Sequence, residues 1–365
     1  MSTVVIIGGG YAGVRVAQAL DADPEVSADI VLVEPRDAFH HNVAALRGLA
    51  DPRWLPRTFL PYDRLLTRGT VRRARAVEVS AGSVVLDDGT RLTPDILVLA
   101  TGTSYPFPAK VSTKDHREAL ARYQELHANL ARAGRVLLLG AGAVGLELAG
   151  EIAAAWPDKT ITIVDPAPTV LPGPYEEGLR TELNRQLDEL GVVRHLGAGL
   201  TEKPTTEPGD VKPFTVTTGA GDVVEADLWL RCYGIAPVSD YLTGSLAEAR
   251  TVEGYLRVDE ELRVVSHSTV YAVGDLADVD VNKAGVARRQ AAVVAANIKA
   301  VLNGDQTRER YEAGPSALIL PLGPTGGAGE VPGRGLLTAD AVSQVKGHDM
   351  FVGQYEELFR ITSSG

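Results

Sequence analysis

The sequence predicts an α/β fold: two Rossmann-like dinucleotide-binding domains, the second inserted in the first, and a small C-terminal α+β unit. Three observations predict it. A β-branched apolar run, a glycine turn and an Ala/Leu-rich helix occur twice, as TVVIIGGGYAGVRVAQAL near the start and RVLLLGAGAVGLELAGEIAAAW from Arg135. Each copy is followed by a β-branched run ending in an acid, Glu34 in DIVLVE and Asp165 in TITIVD, which completes a βαβ unit. After the second copy, VYAVGD reads as a strand ending at Asp275 and residues 284–302 as one long helix, the piece the first domain lacks.

The first unit opens the chain. In GGGYAG, Gly8, Gly10 and Gly13 have the GxGxxG spacing, with Gly9 between the first two; such a turn admits a pyrophosphate close to the backbone and packs helix against strand. Glu34, at the end of the next strand, can hydrogen-bond a ribose diol. VRRARAVEVSAGSVVLDDGTRL reads as strands joined by a DDG turn, and DILVLATG as a buried strand ending at Gly102. The ATG of Ala100, Thr101 and Gly102 and the GD of Gly274 and Asp275 decide which dinucleotide is held. A strand-end Asp can accept a hydrogen bond from a ribityl chain, which FAD has and NAD lacks, so FAD is expected here. The helix from residue 284 then aims its N-terminus at the flavin pyrimidine edge, where negative charge collects on reduction. Lys283 either adds a positive charge there or is a solvated surface lysine.

The second fingerprint, Gly140, Gly142 and Gly145, suits a nicotinamide nucleotide, because a second FAD would need a second set of flavin motifs. Asp165 favours NADH over NADPH: its carboxylate accepts from the 2′-hydroxyl and repels a 2′-phosphate, and PAPTVLPGPYEEG offers no Arg or Lys to reverse that. The other reading of Asp165 is a turn-forming Asp-Pro. Glu147, on the following helix, either faces the nicotinamide or is an acid favoured by the helix dipole. The expected boundaries are 1–102 and 234–310 for the FAD domain, 103–233 for the nicotinamide-nucleotide domain and 311–365 for the C-terminal unit. That last unit closes on PSALILPLGPTGGAGEVPG and a short amphipathic helix over 350–359.

Composition bounds the function. A chain of 365 residues can bury a core large enough to fold without a disulfide or metal. A formal net charge of -11 disfavours nucleic acid and anionic lipid as partners. One cysteine, Cys232, points to a reducing compartment and excludes a thiol relay, so electrons must pass straight from flavin to acceptor. No secretory signal is visible and position 2 is Ser, not a myristoylation Gly, so a cytoplasmic protein is expected, peripheral at a membrane at most. The apolar stretch 136–156 contains Glu147, Glu151 and a glycine fingerprint, which suits a buried strand, turn and helix better than a membrane span. A homodimer is left open.

One stretch is more specific than the glycines. DAFHHNVAALRGL, residues 37–49, together with GLELAGEI, GDLADVDVNKAG and VKGHDMFVG, closely resembles the ferroptosis-suppressor group of apoptosis-inducing-factor-like NAD(P)H:quinone oxidoreductases, and the likeness covers nearly the whole chain. The resemblance implies FAD-dependent reduction of a quinone-type acceptor. It also implies that Arg47 contacts FAD, that Ala74 lies on the strand beside the adenine, that Glu147 and Lys346 stand near the reactive flavin ring, and that Phe351 lines the acceptor pocket. A lysine there can stabilise developing negative charge, and an aromatic wall suits a flat apolar substrate. His40 and His41 could supply a proton to the acceptor or form a packed, hydrogen-bonded pair. The stripe Phe351, Tyr355, Leu358 and Phe359, flanked by Glu356 and Glu357, is expected to pack on the body of the protein and not in a lipid interface. Two other functions fit the motifs: a reductase of a small electron-carrier protein, and an NADH-responsive redox sensor that changes binding partners.

Overall fold

The computed structural model describes residues 2–280, 284–315 and 317–361. From the N-terminus, β1 (Ser2–Ile7) leads through α1 (Tyr11–Ala22) to β2 (Ala28–Val33), and α2 (Asn42–Ala50), β3 (Thr70–Arg72) and β4 (Ile96–Leu99) follow. The inserted segment contains α3 (His116–Arg132), β5 (Arg135–Leu139), α4 (Ala143–Ala155), β6 (Thr160–Asp165), α5 (Glu177–Glu189), β7 (Val193–Leu196) and β8 (Leu228–Arg231). The chain then returns with β9 (Val270–Ala272) and α6 (Ala284–Asn303).

These strands make two parallel sheets, in the orders β9-β4-β1-β2-β3 and β7-β6-β5-β8. Val5 pairs with Val31 on one side and Leu97 on the other, and Leu138 sits equivalently between Ile163 and Leu230. All these residues but Val31 are buried, as unbroken apolar runs must be when helices or further strands cover both faces of a sheet. Because β9 pairs with β4, the first sheet is completed only by residues that follow the insertion. The strand of VYAVGD is shorter than the sequence suggests: β9 stops at Ala272, and Asp275 rides on a 3-10 turn, Gly274–Leu276.

The C-terminal unit is an antiparallel meander of β10 (Leu318–Leu322), β11 (Gly326–Val331) and β12 (Gly335–Leu337), then a π-helical turn (Ser343–Gly347) and α7 (Val352–Leu358). The helix expected over 350–359 starts at Val352 because Met350 and Phe351 are both left-handed, with φ of 51° and 61°. Apolar packing fastens the units together. Ala45, Leu46 and Leu49 of α2 and Leu320, Leu322 and Ala328 of the meander share one core with α4, β5 and β6. Tyr355 and Phe359 instead join α1 and α6 in a second core. The aromatic stripe therefore turns inward, against the body of the protein.

Candidate active site

The two glycine turns are built alike. Gly8 has φ 104° and Gly140 φ 119°, and a Cβ on either would press on a backbone carbonyl just past the neighbouring strand, Ala100 O at 2.5 Å or Cys232 O at 2.7 Å. On Gly13 or Gly145 it would meet the carbonyl of the first glycine at 1.8 or 1.9 Å. Gly10 and Gly142 differ, since a Cβ there finds no protein atom within 4 Å. Packing thus accounts for the first and third glycines of each fingerprint and leaves the second to a ligand lying on the turn. Gly10 and Gly142 are also the N-caps of α1 and α4 and lack capping side chains, so first-turn N–H groups remain for that ligand. Gly9 has its own constraint: Tyr62 donates its hydroxyl to Gly9 O at 2.7 Å, where a Cβ would collide.

The strand-end acids are held differently. Asp165 accepts one backbone N–H on each oxygen, from Ala141 at 2.6 Å and Ala167 at 2.7 Å, and stays half-buried with room to accept more. Glu34 is buried and saturated: Oε2 accepts from Gly9 N–H at 2.7 Å and Arg36 Nη2 at 3.2 Å, Oε1 from Arg36 N–H at 3.0 Å and Nε at 2.8 Å. Burial opposes its charge, yet the Arg36 guanidinium and these donors hold the carboxyl below its ordinary value. Sequence reasoning missed Arg36 and Tyr62. Both line a cavity of about 350 Å³ at the carboxyl ends of β2 and β3, with Leu66, Val71 and Arg73. Ala74 is not on a strand: β3 ends at Arg72, and Ala74 is buried in the connection beyond it, against Val5, Val33 and Leu97.

At the far end of the first fold, Gly274 N–H donates to Gln290 Oε1 at 2.7 Å, and Thr103 Oγ1 donates to Asp275 Oδ2 at 3.1 Å. Gly102, with φ 63°, brings its Cα side within reach of Asp275, where an added Cβ would lie 3.8 Å from Asp275 Cβ. Thr101 turns its hydroxyl away, to Val238 O at 2.6 Å. Lys110 donates to Thr103 O at 2.7 Å and stands 3.6 Å from Asp275; burial lowers its pKa, with Asp275 opposing the fall. Nothing in PFPAK announces this lysine, because the approach of Lys110 to Asp275 spans the whole insertion. Lys283 lies outside the described residues.

Where the three units meet, four charges form a ladder along α4. Glu147 Oε1 accepts from Lys346 Nζ at 2.7 Å, and Lys346 also donates to Ile319 O at 3.1 Å. One turn on, Glu151 Oε2 accepts from Arg47 Nε at 2.5 Å, while Arg47 Nη1 donates to Gly347 O at 2.8 Å. Arg47 Nη2 is buried without a hydrogen-bond partner in the protein, and the guanidinium lies over the Trp54 ring, 5.4 Å from its centroid. Lys346 belongs to the π-helical turn, an uncommon geometry that recurs at functional sites.

His41 completes the junction. Its Nε2–H donates to Met350 O at 2.8 Å, which leaves Nδ1 to accept from the Tyr11 hydroxyl at 2.9 Å; Val43 N–H in turn donates to that hydroxyl at 3.2 Å. Burial pushes the ring pKa down to about 4. His40 is likewise buried and its pKa lowered by desolvation, with its ring stacked on Phe59 at 4.6 Å. Both rings are packed and neutral at pH 7, and the one N–H of His41 is committed to Met350 O. Phe351 is half-buried beside this junction, with Tyr355 and Phe359 behind it.

A model of the pyridine nucleotide-disulphide oxidoreductase family matches residues 2–291. Ferroptosis suppressor protein 1 of Taeniopygia guttata is 31% identical over 357 residues, 96% of this chain and 94% of that protein. Apoptosis-inducing factor homolog B of Dictyostelium discoideum is 28% identical over 375 residues, 96% and 95% of the two chains. Among solved structures, the water-forming NADH oxidase from Lactobacillus brevis bound to NADH superposes with a TM-score of 0.67 at 20% identity, over 88% of this chain and 73% of that one, and so shares the fold.

Proposed function

Because the chain belongs to the pyridine nucleotide-disulphide oxidoreductase family and is an FAD-dependent NAD(P)H oxidoreductase, we propose that it oxidises NADH and reduces a quinone-type acceptor. Bound FAD supplies the two-electron step between donor and acceptor. The residues present fit that group: a Cβ-free cradle at Gly10, Asp275 on the 3-10 turn after β9 for the ribityl chain, and Nη2 of buried Arg47, which has no hydrogen-bond partner in the protein. The turn from Gly8 to Gly13 binds the pyrophosphate through backbone N–H groups, and Glu34 and Arg36 flank the ribose. The turn from Gly140 to Gly145 takes the nicotinamide nucleotide, and Asp165 accepts from its 2′-hydroxyl.

The observation that carries the acceptor is the half-buried Lys346–Glu147 pair at the meeting of the three units. Both side chains are 12% exposed, and the half-buried Phe351 stands on the same C-terminal segment. A cation held there by one carboxylate and one carbonyl stabilises negative charge arising on a reduced carbonyl oxygen, while the aromatic side chain offers a flat apolar wall. With one cysteine in the chain, its thiol buried and pushed up to about 12, no thiol relay intervenes.

The test is anaerobic reduction of the purified yellow protein by NADH or NADPH, followed by reoxidation with a soluble ubiquinone or menaquinone analogue, ferricyanide or oxygen. The reading expects NADH to bleach the flavin and a quinone to restore it faster than oxygen. A flavin that NADH never bleaches, or one that quinones leave reduced, overturns it.

A further inference from the structure

Tyr233 and Ile235 have no part in the reading above, yet each is 44% exposed, and only Gly234 separates them. They stand where β8 leaves its sheet: Cys232 N–H donates to Leu139 O at 2.8 Å, and Cys232 O lies against the Gly140 turn. Gly234 has φ 101°, and a Cβ there would come within 2.6 Å of Arg231 Nη2, so the chain folds back over the arginine. The Arg231 guanidinium sits over the Tyr233 ring, 4.7 Å from its centroid. Its Nε is buried without a hydrogen-bond partner, and among the described residues no carboxylate pairs with Arg231. One face of Tyr233 is thus backed by a cation that no acid neutralises, and the side chain is otherwise open. The order of the strands says what reaches this point. A dinucleotide lies across the carboxyl ends of a Rossmann-type sheet. With the adenosine ribose at Asp165 after β6 and the pyrophosphate on the Gly140 turn after β5, the nicotinamide half extends over β8, the strand on the other side of β5.

We propose that Tyr233 is a stacking platform for the nicotinamide half of the nucleotide, and that Arg231 behind it makes the platform select the neutral dihydronicotinamide of NADH over the positively charged nicotinamide of NAD⁺. An open aromatic face attracts a cation, but here a guanidinium already occupies the opposite face and repels a second positive charge through the ring. Oxidation of the nucleotide therefore weakens its own binding and hastens release of the product. The proposal rests on nicotinamide nucleotide use and not on the identity of the final acceptor, so it stands or falls separately from quinone reduction.

The test is calorimetric binding to the purified holoprotein, without turnover, of three probes: ADP-ribose, NAD⁺ and the neutral, non-reducing tetrahydro-NAD. Tyr233→Ala is expected to weaken tetrahydro-NAD about tenfold and to leave ADP-ribose, which lacks the nicotinamide, unchanged. Tyr233→Phe keeps the ring and should bind as the wild type does. Arg231→Met removes the charge and should tighten NAD⁺ about fivefold, while tetrahydro-NAD moves less than about twofold. Arg231→Lys keeps the charge and should hold NAD⁺ as weakly as the wild type. Equal losses of ADP-ribose and tetrahydro-NAD in Tyr233→Ala would make the tyrosine a structural residue and overturn the proposal, as would an NAD⁺ affinity that Arg231→Met leaves unmoved. A wild type that binds none of the three probes is a different result: it overturns nicotinamide nucleotide use itself, and the proposal with it.

Discussion

Asp165 retains acceptor capacity after taking one backbone N–H on each oxygen, and that capacity makes it a selector between the two nicotinamide nucleotides. Asp165→Ser removes the charge that repels a 2′-phosphate, and the ratio of kcat/KM for NADH over NADPH is expected to fall about tenfold. An unchanged ratio would take Asp165 out of cofactor choice. Lys346→Met deletes the cation beside Glu147 and is expected to slow quinone-driven reoxidation about 10- to 100-fold with FAD still bound, read by stopped-flow absorbance. His41 carries a prediction about pH. Its ring titrates near 4 in the fold against an ordinary value of 6.5, so between those values the unfolded chain binds a proton that the native chain does not. Stability therefore rises with pH through that window and is lost as pH falls from 6.5 towards 4, by on the order of 3 kcal/mol for this one group. Urea unfolding of the wild type and of His41→Gln from pH 7 to 4 checks it. The gap between the two should close as the pH drops, and parallel curves would refute the assignment.

The segment from Ser343 to Phe359 shows what sequence can and cannot announce about an element. The spacing of Phe351, Tyr355, Leu358 and Phe359 marks an apolar face, and that face is buried: Phe359 is fully enclosed and Tyr355 is 5% exposed. Phe359→Ala should accordingly cost about 3–5 kcal/mol in urea unfolding, whereas a lipid-dipping residue would cost almost nothing. The helix start was not legible. Met350 and Phe351 adopt a left-handed backbone that neither residue favours, and the His41 bond to Met350 O, 309 residues away in sequence, helps hold it. The glycine turns were legible because each packs against residues of its own βα unit or the strand beside it. Arg36, Tyr62, Lys110 and Gln290 were not, since each matters through a partner that only the assembled sheet brings near. Arg36 is the exception by distance, two residues from Glu34, but Glu-Pro-Arg by itself does not say that the guanidinium folds back.

Across the whole molecule, the internal duplication and the returning strand β9 made the nested order of the two Rossmann-like folds readable, because periodicity and acid-ended strands repeat at the scale of a unit. The joints between units were not readable. They consist of α2, the meander and the ladder along α4, whose contacts are all long-range. Because FAD is expected to lie across those joints, it should stabilise the chain by mass action. At a free concentration of about 100 times its Kd the unfolding free energy should rise by about 2.7 kcal/mol over apoprotein, measured by denaturant titration. No change with added FAD would mean that the apoprotein fold does not present the site. Among the described residues no helix is long and apolar enough to cross a membrane. Cys232, lying beneath the Gly140 turn, has a practical consequence. With its thiol pushed up to about 12, only on the order of one molecule in 10⁵ presents a thiolate at pH 7, and that sulfur is buried. Maleimides should leave the native protein untouched, so a single cysteine introduced on the surface would accept a fluorophore or spin label without background, and the distance between the nucleotide-binding units could be followed during turnover.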